Sequence, residues 1–566
     1  MVYVYGMNRC LTHLFALLGL AIALTTGCRF AGARRNDHAV MTRKSAAEQA
    51  ALERQMAAHA HYATAVIHEL NEETEPALQE YILAVRNDPA DEDLLLQVSQ
   101  RLLQARQFKQ AIELLAPATL RPGVSSRLFL RLGVAYSQLG DTQKAIEANR
   151  AALQRTPGLL PAYQNLFLNY LQTKQPEAAL KTLDEAAAQP QADAEFLISL
   201  AELYTTCGAQ FPSLREVTRP QALAMLNRAA SAREMVPALR LKLADGLNLF
   251  GDTEKAAAAY LELVNQPNLT PALRELLRTK LADIYLRTRD PQRAATQLEA
   301  IVRDNPANPA AYYFLGHIAL EQKNWTNAVG NFQKMILFNP DLEQAYYDLA
   351  SAQIALARGD DAVTTLEMAQ KKFPTGFVSE YLLGVAYHTR KQYAVAVNHF
   401  TSAEHLAQAG ETNRLNPGFY FQVGAAFERK GDRAEAEKYF EKCLALAPDD
   451  AEALNYLGYM WAEKGEKLDR ARAMIERAVK SDPTNAAFLD SLGWVLFQLG
   501  QPREAVEYLL KAIAQNDKPD ATVFDHLGDA YAALNEMSKA REAWVKSLAI
   551  EASAAVKKKL EAATAP

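Results

Sequence analysis

Several features that commonly reveal an enzyme or a nucleic-acid-binding protein are missing from this sequence of 566 residues. It has no glycine-rich phosphate loop and none of the GxSxG, HExxH and CxxC motifs that mark common catalytic and metal sites. A basic excess is also lacking, since the formal net charge is −5, whereas nucleic-acid-binding domains usually carry a basic patch or stripe. The sequence therefore predicts neither an enzyme nor nucleic-acid binding, and it implies no metal or other cofactor.

Long apolar runs are equally rare. One mostly apolar run, 11-LTHLFALLGLAIAL-24, is shorter than the about 20 residues that a membrane-spanning helix needs. Arg9 precedes this run and the small residues 25-TTGC-28 follow it, an order that is typical of secretory signals. We therefore predict a signal peptide over residues 1–28, with Met1 or Met7 as its start.

The end of this segment resembles a bacterial lipobox, in which a cysteine after small residues becomes the lipidated first residue of the mature protein. Thr25 stands where that pattern prefers leucine, and Leu24 lies one place earlier. The resemblance implies lipidation of Cys28 and attachment to a membrane through an N-terminal lipid. Ordinary cleavage and an uncleaved anchor are the alternatives. Arg29 replaces the aspartate of the usual inner-membrane retention signal, which favours the outer membrane, facing the periplasm.

Residues 29–57 differ from the rest of the chain. The stretch 29–45 is basic and polar with few large apolar side chains, a composition that predicts a flexible tether. Residues 46–60 are rich in alanine, which predicts a leading helix that enters the ordered part of the chain.

A repeat occupies nearly all of the remaining sequence. Alanine returns at one point of a unit that is mostly 34 residues long, and the alanines are Ala77, Ala111, Ala145, Ala179, Ala222, Ala256, Ala294, Ala328, Ala362, Ala396, Ala436, Ala471, Ala505 and Ala540. A fixed period of this length indicates a solenoid of paired helices. We expect a single array whose core is continuous between neighbouring units.

Other positions of the unit recur with the alanine. A mostly small residue such as Gly316 precedes it by twelve places, and a large apolar residue such as Phe332 follows it by four. Small residues allow two helices to approach closely, and the large residue fills the remaining space. Between the two helices of a unit lie Gly140-Asp141, Gly251-Asp252, Gly359-Asp360 and Gly431-Asp432. We expect each glycine to supply the left-handed residue that ends a helix.

This pattern resembles the tetratricopeptide repeat family, as in 312-YYFLGHIALEQKNWTNAVGNFQKMILFNP-340. The resemblance covers residues 58–550 and implies an all-α, right-handed superhelical solenoid of about fourteen helix hairpins. Residues 551–566 are expected to form a capping helix. The repeat register breaks within 207–220, near 265–271 and within 405–417, where insertions predict loops.

In this family, the first helix of each hairpin lines an inner groove. Transferred to this chain, the family geometry gives a row at the fifth position of the first helix, with further side chains beside it. The predicted groove residues are Tyr313, His317, Tyr347, Tyr381, His388, Phe421, Tyr459 and Trp494. The fifth-position row turns polar further along the chain, through Asn455, Asp490 and Asp525.

Two interpretations of the aromatic part of this row remain open. Aromatic side chains combine a large contact area with a polar tip and are enriched at binding hot spots. The first interpretation is a groove for a protein partner or an extended peptide, centred on the eighth to eleventh units. The second is that the rings pack between adjacent first helices, as fifth-position residues partly do throughout this family.

The two cysteines within the repeats lie about seven units apart. Cys443 takes the place of a small core residue, which predicts a buried thiol. Cys207 lies at the first register break, where we expect a more exposed side chain near the end of a helix. A disulfide between them is not expected, because paired cysteines need Cα atoms within about 7 Å.

The segments 453–479 and 488–500 are similar to the C-terminal part of large tetratricopeptide lipoproteins of Gram-negative outer membranes. Some of those proteins are adaptors that present peptidoglycan enzymes to a periplasmic processing protease. The resemblance implies a lipid-anchored scaffold for protein partners in the bacterial envelope. The alternative is an accessory component of an export or assembly machine, such as one for polysaccharide secretion or pilus biogenesis.

Overall fold

The computed structural model describes residues 38–232, 234–516 and 518–564. Regular structure within these ranges is helical and contains no strand, which confirms the all-α prediction. The first twelve helices are α1 (His38–Leu70), α2 (Thr74–Asn87), α3 (Glu92–Gln104), α4 (Phe108–Thr119), α5 (Ser126–Leu139), α6 (Thr142–Arg155), α7 (Leu160–Gln172), α8 (Pro176–Ala187), α9 (Ala194–Gln210), α10 (Arg215–Ala230), α11 (Pro237–Phe250) and α12 (Thr253–Val264).

The following helices continue the same alternation. They are α13 (Pro271–Arg287), α14 (Pro291–Asp304), α15 (Pro309–Glu321), α16 (Trp325–Phe338), α17 (Glu343–Ala355), α18 (Gly359–Lys372), α19 (Phe377–Thr389), α20 (Tyr393–Gly410), α21 (Pro417–Lys430), α22 (Arg433–Leu446), α23 (Ala451–Lys464), α24 (Leu468–Ser481), α25 (Ala486–Gln498), α26 (Pro502–Gln515), α27 (Ala521–Ala533), α28 (Met537–Ile550) and α29 (Ala554–Thr564).

Consecutive helices form hairpins. Each odd-numbered helix up to α27 is followed, after a short connection, by an even-numbered helix, and we call them the first and second helices of a hairpin. Pairs such as α19 and α20 pack closely against each other. Fourteen hairpins are present in the described residues, one for each repeat alanine. The predicted solenoid of about fourteen helix hairpins is therefore confirmed.

The chain divides into two compact units, Met1–Ala259 and Tyr260–Pro566. The boundary lies inside α12, close to the register break at 265–271.

Close approach of the two helices explains the small residues of the repeat. All fourteen repeat alanines are at most 3% exposed. A Cβ atom on Gly316 would lie 2.6 Å from the ring of Phe332, and one on Gly384 would lie 2.6 Å from the ring of Phe400. The predicted contact between a small residue of the first helix and a large residue of the second is therefore confirmed.

Glycine ends the first helix in three of the four predicted turns. Gly140, Gly251 and Gly431 have φ angles of 87°, 88° and 90°, which confirms their left-handed conformation. The prediction for Gly359 is wrong, because the left-handed residue of that turn is Ala357, with φ 58°. Gly359 instead begins α18, where a Cβ atom would lie 3.0 Å from the backbone oxygen of Ala386.

The predicted exposure of Cys207 is also wrong. Helix α9 continues to Gln210, and Cys207 is completely buried, because the inserted residues extend the helix and a 3₁₀ segment, Pro212–Leu214, returns the chain to α10. Cys443 is buried as predicted. Burial raises the pKa of both thiols to about 11, so both are protonated near neutral pH and are poor nucleophiles.

The ends of the described chain are helical. Residues 38–45 of the predicted tether belong to α1, which continues through the alanine-rich stretch to Leu70. At the other end, α29 packs through Val556 against Trp544 of α28. Lys559 of α29 pairs with Asp525 at 2.8 Å and with Asp529 at 2.6 Å, so this helix covers charged groups of the last hairpin as well as its apolar face.

Candidate functional site

The predicted groove residues lie on the first helices of the second unit. Tyr313 and His317, both on α15, pack edge to face with a ring separation of 4.5 Å. Both rings also contact Phe332 of the following helix, at 6.0 Å and 5.4 Å. His317 Nε2 lies 3.2 Å from Asp348 Oδ2 on the next first helix, α17. These two predicted residues therefore join neighbouring hairpins.

Tyr347 on α17 is almost completely buried, with 7% of its surface exposed. Its hydroxyl donates a hydrogen bond to Glu343 Oε1 at 2.5 Å. Burial, together with this bond, raises the pKa of Tyr347 well above its usual range. The phenol therefore stays protonated and fixes the first turn of α17.

Tyr381 on α19 is surrounded by other rings. It stacks on Phe377 with centroids 5.8 Å apart, and it contacts Phe400 at 5.9 Å and Phe419 at 6.0 Å. Burial raises the pKa of Tyr381. Four rings from three helices thus form one cluster, which we call the aromatic cluster.

Phe421 and His388 extend this packing along the unit. The Phe421 ring lies 5.7 Å from Phe440 and 5.4 Å from Tyr456. His388 Nε2 is buried and has no hydrogen-bond partner among the described residues. Burial, and then the charge of Arg429, lowers the pKa of His388, so this imidazole is neutral near physiological pH.

A cavity of about 430 Å³ opens beside the aromatic cluster, and we call it the aromatic cavity. Its lining includes Tyr347, Tyr381, Gln344 and Arg414. Arg414 comes from the third insertion and lies 5.7 Å above the Phe377 ring. The inserted segment therefore supplies a cation to a site whose lining includes four aromatic rings as well as polar side chains, a combination that suits a partner with both apolar and polar groups.

The last two predicted residues meet a histidine that the sequence analysis missed. Trp494 on α25 stacks on His526 of α27 at 4.1 Å, and the Tyr459 ring lies 6.3 Å from the same imidazole. His526 Nδ1 is 2.9 Å from Asp490 Oδ1, and both residues are buried. His526 directly follows Asp525 of the fifth-position row, which is the only signal that could have drawn attention to it.

Beside this group lies a second cavity of about 700 Å³, which we call the acidic cavity. It is lined by side chains of α21, α23, α25 and α27 and by the turns before them. Among the described residues it brings together four carboxylates and one guanidinium, namely Glu428, Glu463, Asp490, Asp520 and Arg429. Tyr459 and the buried amide of Asn455 also line this cavity.

The structure thus brings some of the predicted residues to cavities and leaves others between helices. Tyr347 and Tyr381 line the aromatic cavity and Tyr459 lines the acidic cavity, whereas Tyr313, His317, His388, Phe421 and Trp494 line neither. Every ring of the set makes a packing contact within the fold, some with the next first helix, as Tyr381 does with Phe419, and others within their own hairpin, as Tyr313 does with Phe332. Their role in binding a partner stays a prediction. The lipidation site, Cys28, lies outside the described residues.

The described residues contain no group of three or more His, Cys, Asp or Glu side chains that could hold a metal ion. None of the helices in the described ranges combines the length and hydrophobicity of a membrane span. The side chains gathered in the two cavities offer hydrogen bonds, ion pairs and ring contacts, which suit recognition of another molecule.

Comparisons with known proteins agree with the hairpin repeat. Two family models, both described as tetratricopeptide repeat, together match about half of the chain. One matches residues 99–159, 279–341, 424–486, 462–521 and 491–556, and the other matches residues 344–376.

Two relatives are similar in sequence to part of this chain. TPR repeat-containing protein PA4667 of Pseudomonas aeruginosa is 28% identical over 172 residues, which are 30% of this chain and 28% of that protein. Superkiller complex protein 3 of Homo sapiens is 28% identical over 145 residues, which are 24% of this chain and 9% of that protein. The chain therefore spans less than a third of the length of either relative.

Solved structures of helical proteins also align with this chain. The crystal structure of the APC/C hetero-tetramer Cut9–Hcn1 aligns over 84% of this chain and 90% of that chain, with 15% identity and a TM-score of 0.35. MamA from Desulfovibrio magneticus RS-1 aligns over 31% of this chain and 96% of that chain, with 22% identity and a TM-score of 0.28.

Proposed function

The chain belongs to the tetratricopeptide repeat family, a family of protein-interaction scaffolds, and we propose that it holds segments of partner proteins on the first helices of its second unit without catalysing a reaction. The observation that carries this proposal is the acidic cavity, where Asn455 and four carboxylates from consecutive hairpins line one opening. Stacked repeats present extended binding surfaces of this kind. The aromatic cavity offers a second, chemically different place for a partner.

We further propose that the scaffold is lipid-anchored through Cys28 at the periplasmic face of the outer membrane. The support is the order of Arg9, the apolar run 11–24 and the small residues before Cys28. Residues 29–37 then connect the lipid to α1. Anchoring would keep the solenoid near the envelope enzymes that are its expected partners.

Within the envelope, we propose that the scaffold presents peptidoglycan enzymes to a processing protease. The support is the similarity of segments 453–479 and 488–500 to adaptor lipoproteins, together with two separate cavities in one unit. Two partners held by one chain meet at a high effective concentration, in the millimolar range for short flexible linkages. This raises the rate of their encounter without any new chemistry.

The test uses site-specific photo-cross-linking in the native, full-length chain. A photoreactive amino acid is placed at Gln422 in the aromatic cavity, at Glu463 in the acidic cavity and at Lys438 on a second helix as the control. All three side chains reach the surface, so differences in cross-linking report the face on which partners lie. A parallel Cys28→Ala variant tests the anchor by membrane fractionation.

We expect cross-links to a periplasmic protease or a peptidoglycan enzyme from at least one cavity and none from Lys438. We also expect the Cys28→Ala protein to leave the membrane fraction. Cross-linking only from Lys438 would contradict a role of the first helices. Cross-links to an outer-membrane barrel would contradict the adaptor role and favour an export machine.

A further inference from the structure

The acidic cavity contains a polar atom that the fold leaves unsatisfied. Asn455 is 7% exposed, and its Oδ1 atom has no hydrogen-bond partner among the described residues. Burying a carbonyl oxygen without a partner costs free energy, because the oxygen loses its hydrogen bonds to water. A ligand that donated a hydrogen bond to Asn455 would remove this cost.

The other polar members of the same row are already paired. Asp490 lies 2.9 Å from His526 Nδ1, and Asp525 lies 2.8 Å from Lys559 Nζ. Neighbouring helices therefore supply partners for the second and third polar residues but not for Asn455 Oδ1. The fold supplies hydrogen-bond partners to two of these three polar residues. The Asn455 oxygen is therefore the place on this row where a group from another molecule fits.

The charge of the lining defines the kind of group that fits. Glu428, Glu463, Asp490 and Asp520 face the cavity, and its only described lining cation is Arg429. Arg429 lies 3.5 Å from Glu428, while Arg433 pairs with Glu463 from outside the lining. Asp490 has the imidazole of His526, and Asp520 caps α27 by accepting a backbone hydrogen bond from Thr522. The excess of carboxylates favours a cationic ligand.

The length of the site indicates an extended segment. Four successive first helices contribute to the lining, and packed helices lie roughly 8–10 Å apart. A path across them is about 25–30 Å long, which matches about eight extended residues at roughly 3.3 Å each. An asparagine amide presents a donor beside an acceptor, which is also the arrangement of a peptide group.

We propose that the acidic cavity binds an extended, cationic segment of a partner protein, whose backbone N–H donates to Asn455 Oδ1 while an arginine or lysine side chain pairs with the cavity carboxylates. This inference rests on the proposed scaffold function and names the partner class of its acidic cavity. Arginine suits the site best, because its guanidinium can donate two parallel hydrogen bonds to one carboxylate.

The probe is a fluorescein-labelled peptide of about eight residues in which alanine and arginine alternate. Its binding to the full-length protein is followed by fluorescence anisotropy. A peptide with glutamate in place of arginine tests charge, and a peptide with N-methylated central amides tests the backbone hydrogen bond. The protein variants are Asn455→Leu, Asp490→Asn and, as the matched control, Gln344→Leu, which removes an exposed amide from the aromatic cavity.

We expect Asn455→Leu and N-methylation each to weaken binding about ten-fold, the usual effect of losing one hydrogen bond to a buried group. Gln344→Leu should leave the affinity unchanged. Asp490→Asn should weaken binding and reduce its dependence on salt, because one attractive charge is lost. Circular dichroism and thermal melting of each variant establish that it is folded, and leucine keeps the γ-branched shape of asparagine.

Equal binding of the arginine and glutamate peptides would overturn the cationic assignment. A loss of affinity in Gln344→Leu but not in Asn455→Leu would place the segment in the aromatic cavity and overturn the site. Photo-cross-linking separates these outcomes from failure of the scaffold function. Partners that cross-link equally to the Asn455→Leu protein leave the scaffold intact and refute this inference, whereas absence of any first-helix cross-link refutes the scaffold.

Discussion

The fifth-position row has two parts with different surroundings, although the same backbone geometry presents both. In α17 the row holds Tyr347, which donates a hydrogen bond to Glu343 of its own helix. In α19 it holds Tyr381, which packs against Phe377 of its own helix and Phe419 of the next hairpin. In α23 it holds Asn455, whose carbonyl oxygen has no partner among the described residues. Aromatic side chains therefore complete the core in the first part, whereas the second part keeps unused hydrogen-bonding capacity.

This comparison changes where binding should be sought. An aromatic row seen in sequence suggests contact area for a partner, but buried rings have already used most of that area within the fold. A polar side chain in the same row has little apolar area to bury, so it contributes to binding through a hydrogen bond or a charge. The α21–α27 surface is thus the more informative place for a test, and the aromatic cluster should respond mainly in stability.

The largest effect is expected from Phe419→Ala. Phe419 is 2% exposed and contacts Phe377 and Tyr381 in the aromatic cluster, so its truncation should lower the free energy of unfolding by about 3–5 kcal/mol. Urea unfolding measures the change, and hydrogen exchange should localise it to α19–α22, because repeats depend mainly on their neighbours.

Phe314→Ala is the matched control for this substitution. Phe314 also lies on a first helix but is 42% exposed, so its truncation should cost less than about 1 kcal/mol. If both substitutions had equal effects, the aromatic cluster would not be a stabilising core. Loss of peptide binding in a folded Phe419→Ala protein would break the separation between the aromatic cluster and the acidic cavity.

A smaller effect is expected where a methyl group is added. In Gly384→Ala the new Cβ would lie 2.6 Å from the Phe400 ring of the aromatic cluster, and overpacking of this kind usually costs about 1–3 kcal/mol. Gly330→Ala on α16 provides the control, because no atom of another helix or of a non-neighbouring side chain in the described residues lies within 4 Å of the added group. It should stabilise the protein by about 0.5–1 kcal/mol through helix propensity.

Thermal melting measures both glycine variants. We expect a lower melting temperature for Gly384→Ala and a higher one for Gly330→Ala. A higher melting temperature for both would mean that α19 and α20 can separate slightly without cost. A lower one for both would mean that Gly330 has a role beyond its open surroundings. The predicted difference in sign tests the close helix approach on which the position of Tyr381 depends.

The periodic part of this architecture could be predicted from sequence. Each repeat alanine is buried, and Gly384 meets Phe400 as the spacing indicates, because both residues of such a pair belong to one hairpin and lie only sixteen places apart. The contacts depend on local helix geometry, which the hydrophobic period reports directly.

Contacts between hairpins and departures from the repeat could not be predicted. His526 on α27 lies 36 positions after Asp490 on α25, the preceding first helix. No period in the sequence specifies which of several polar neighbours the histidine meets. Ala357 occupies the left-handed turn position although Gly359 is nearby. Gly359 instead lies in close contact with α19, and this tertiary contact cannot be read from the spacing of the repeat. Likewise, the unsatisfied Asn455 oxygen is a property of its surroundings and not of its residue type.

The smallest effect is expected from a titration that connects the two parts of the row. His388 lies beside the aromatic residue Tyr393, while Arg429, which helps to lower its pKa, lines the acidic cavity. The unfolded chain binds a proton at this histidine near pH 6.5, whereas the folded chain does so only at a lower pH. Between these values the unfolded state holds more protons, so stability rises with pH and falls on acidification.

We therefore expect His388→Gln to reduce the loss of stability between pH 7.5 and pH 5.5, by at most about 1 kcal/mol because the side chain retains some exposure. Arg429→Gln should raise the pKa of His388 and remove a smaller part of the same slope, since burial is the larger cause. Melting at both pH values measures stability, and NMR titration of the histidine resonances measures the pKa. An unchanged slope in His388→Gln would assign the pH dependence elsewhere. An unchanged pKa in Arg429→Gln would show that the charge of the acidic cavity does not reach the neighbouring hairpin, and that the aromatic and polar parts of the row act independently.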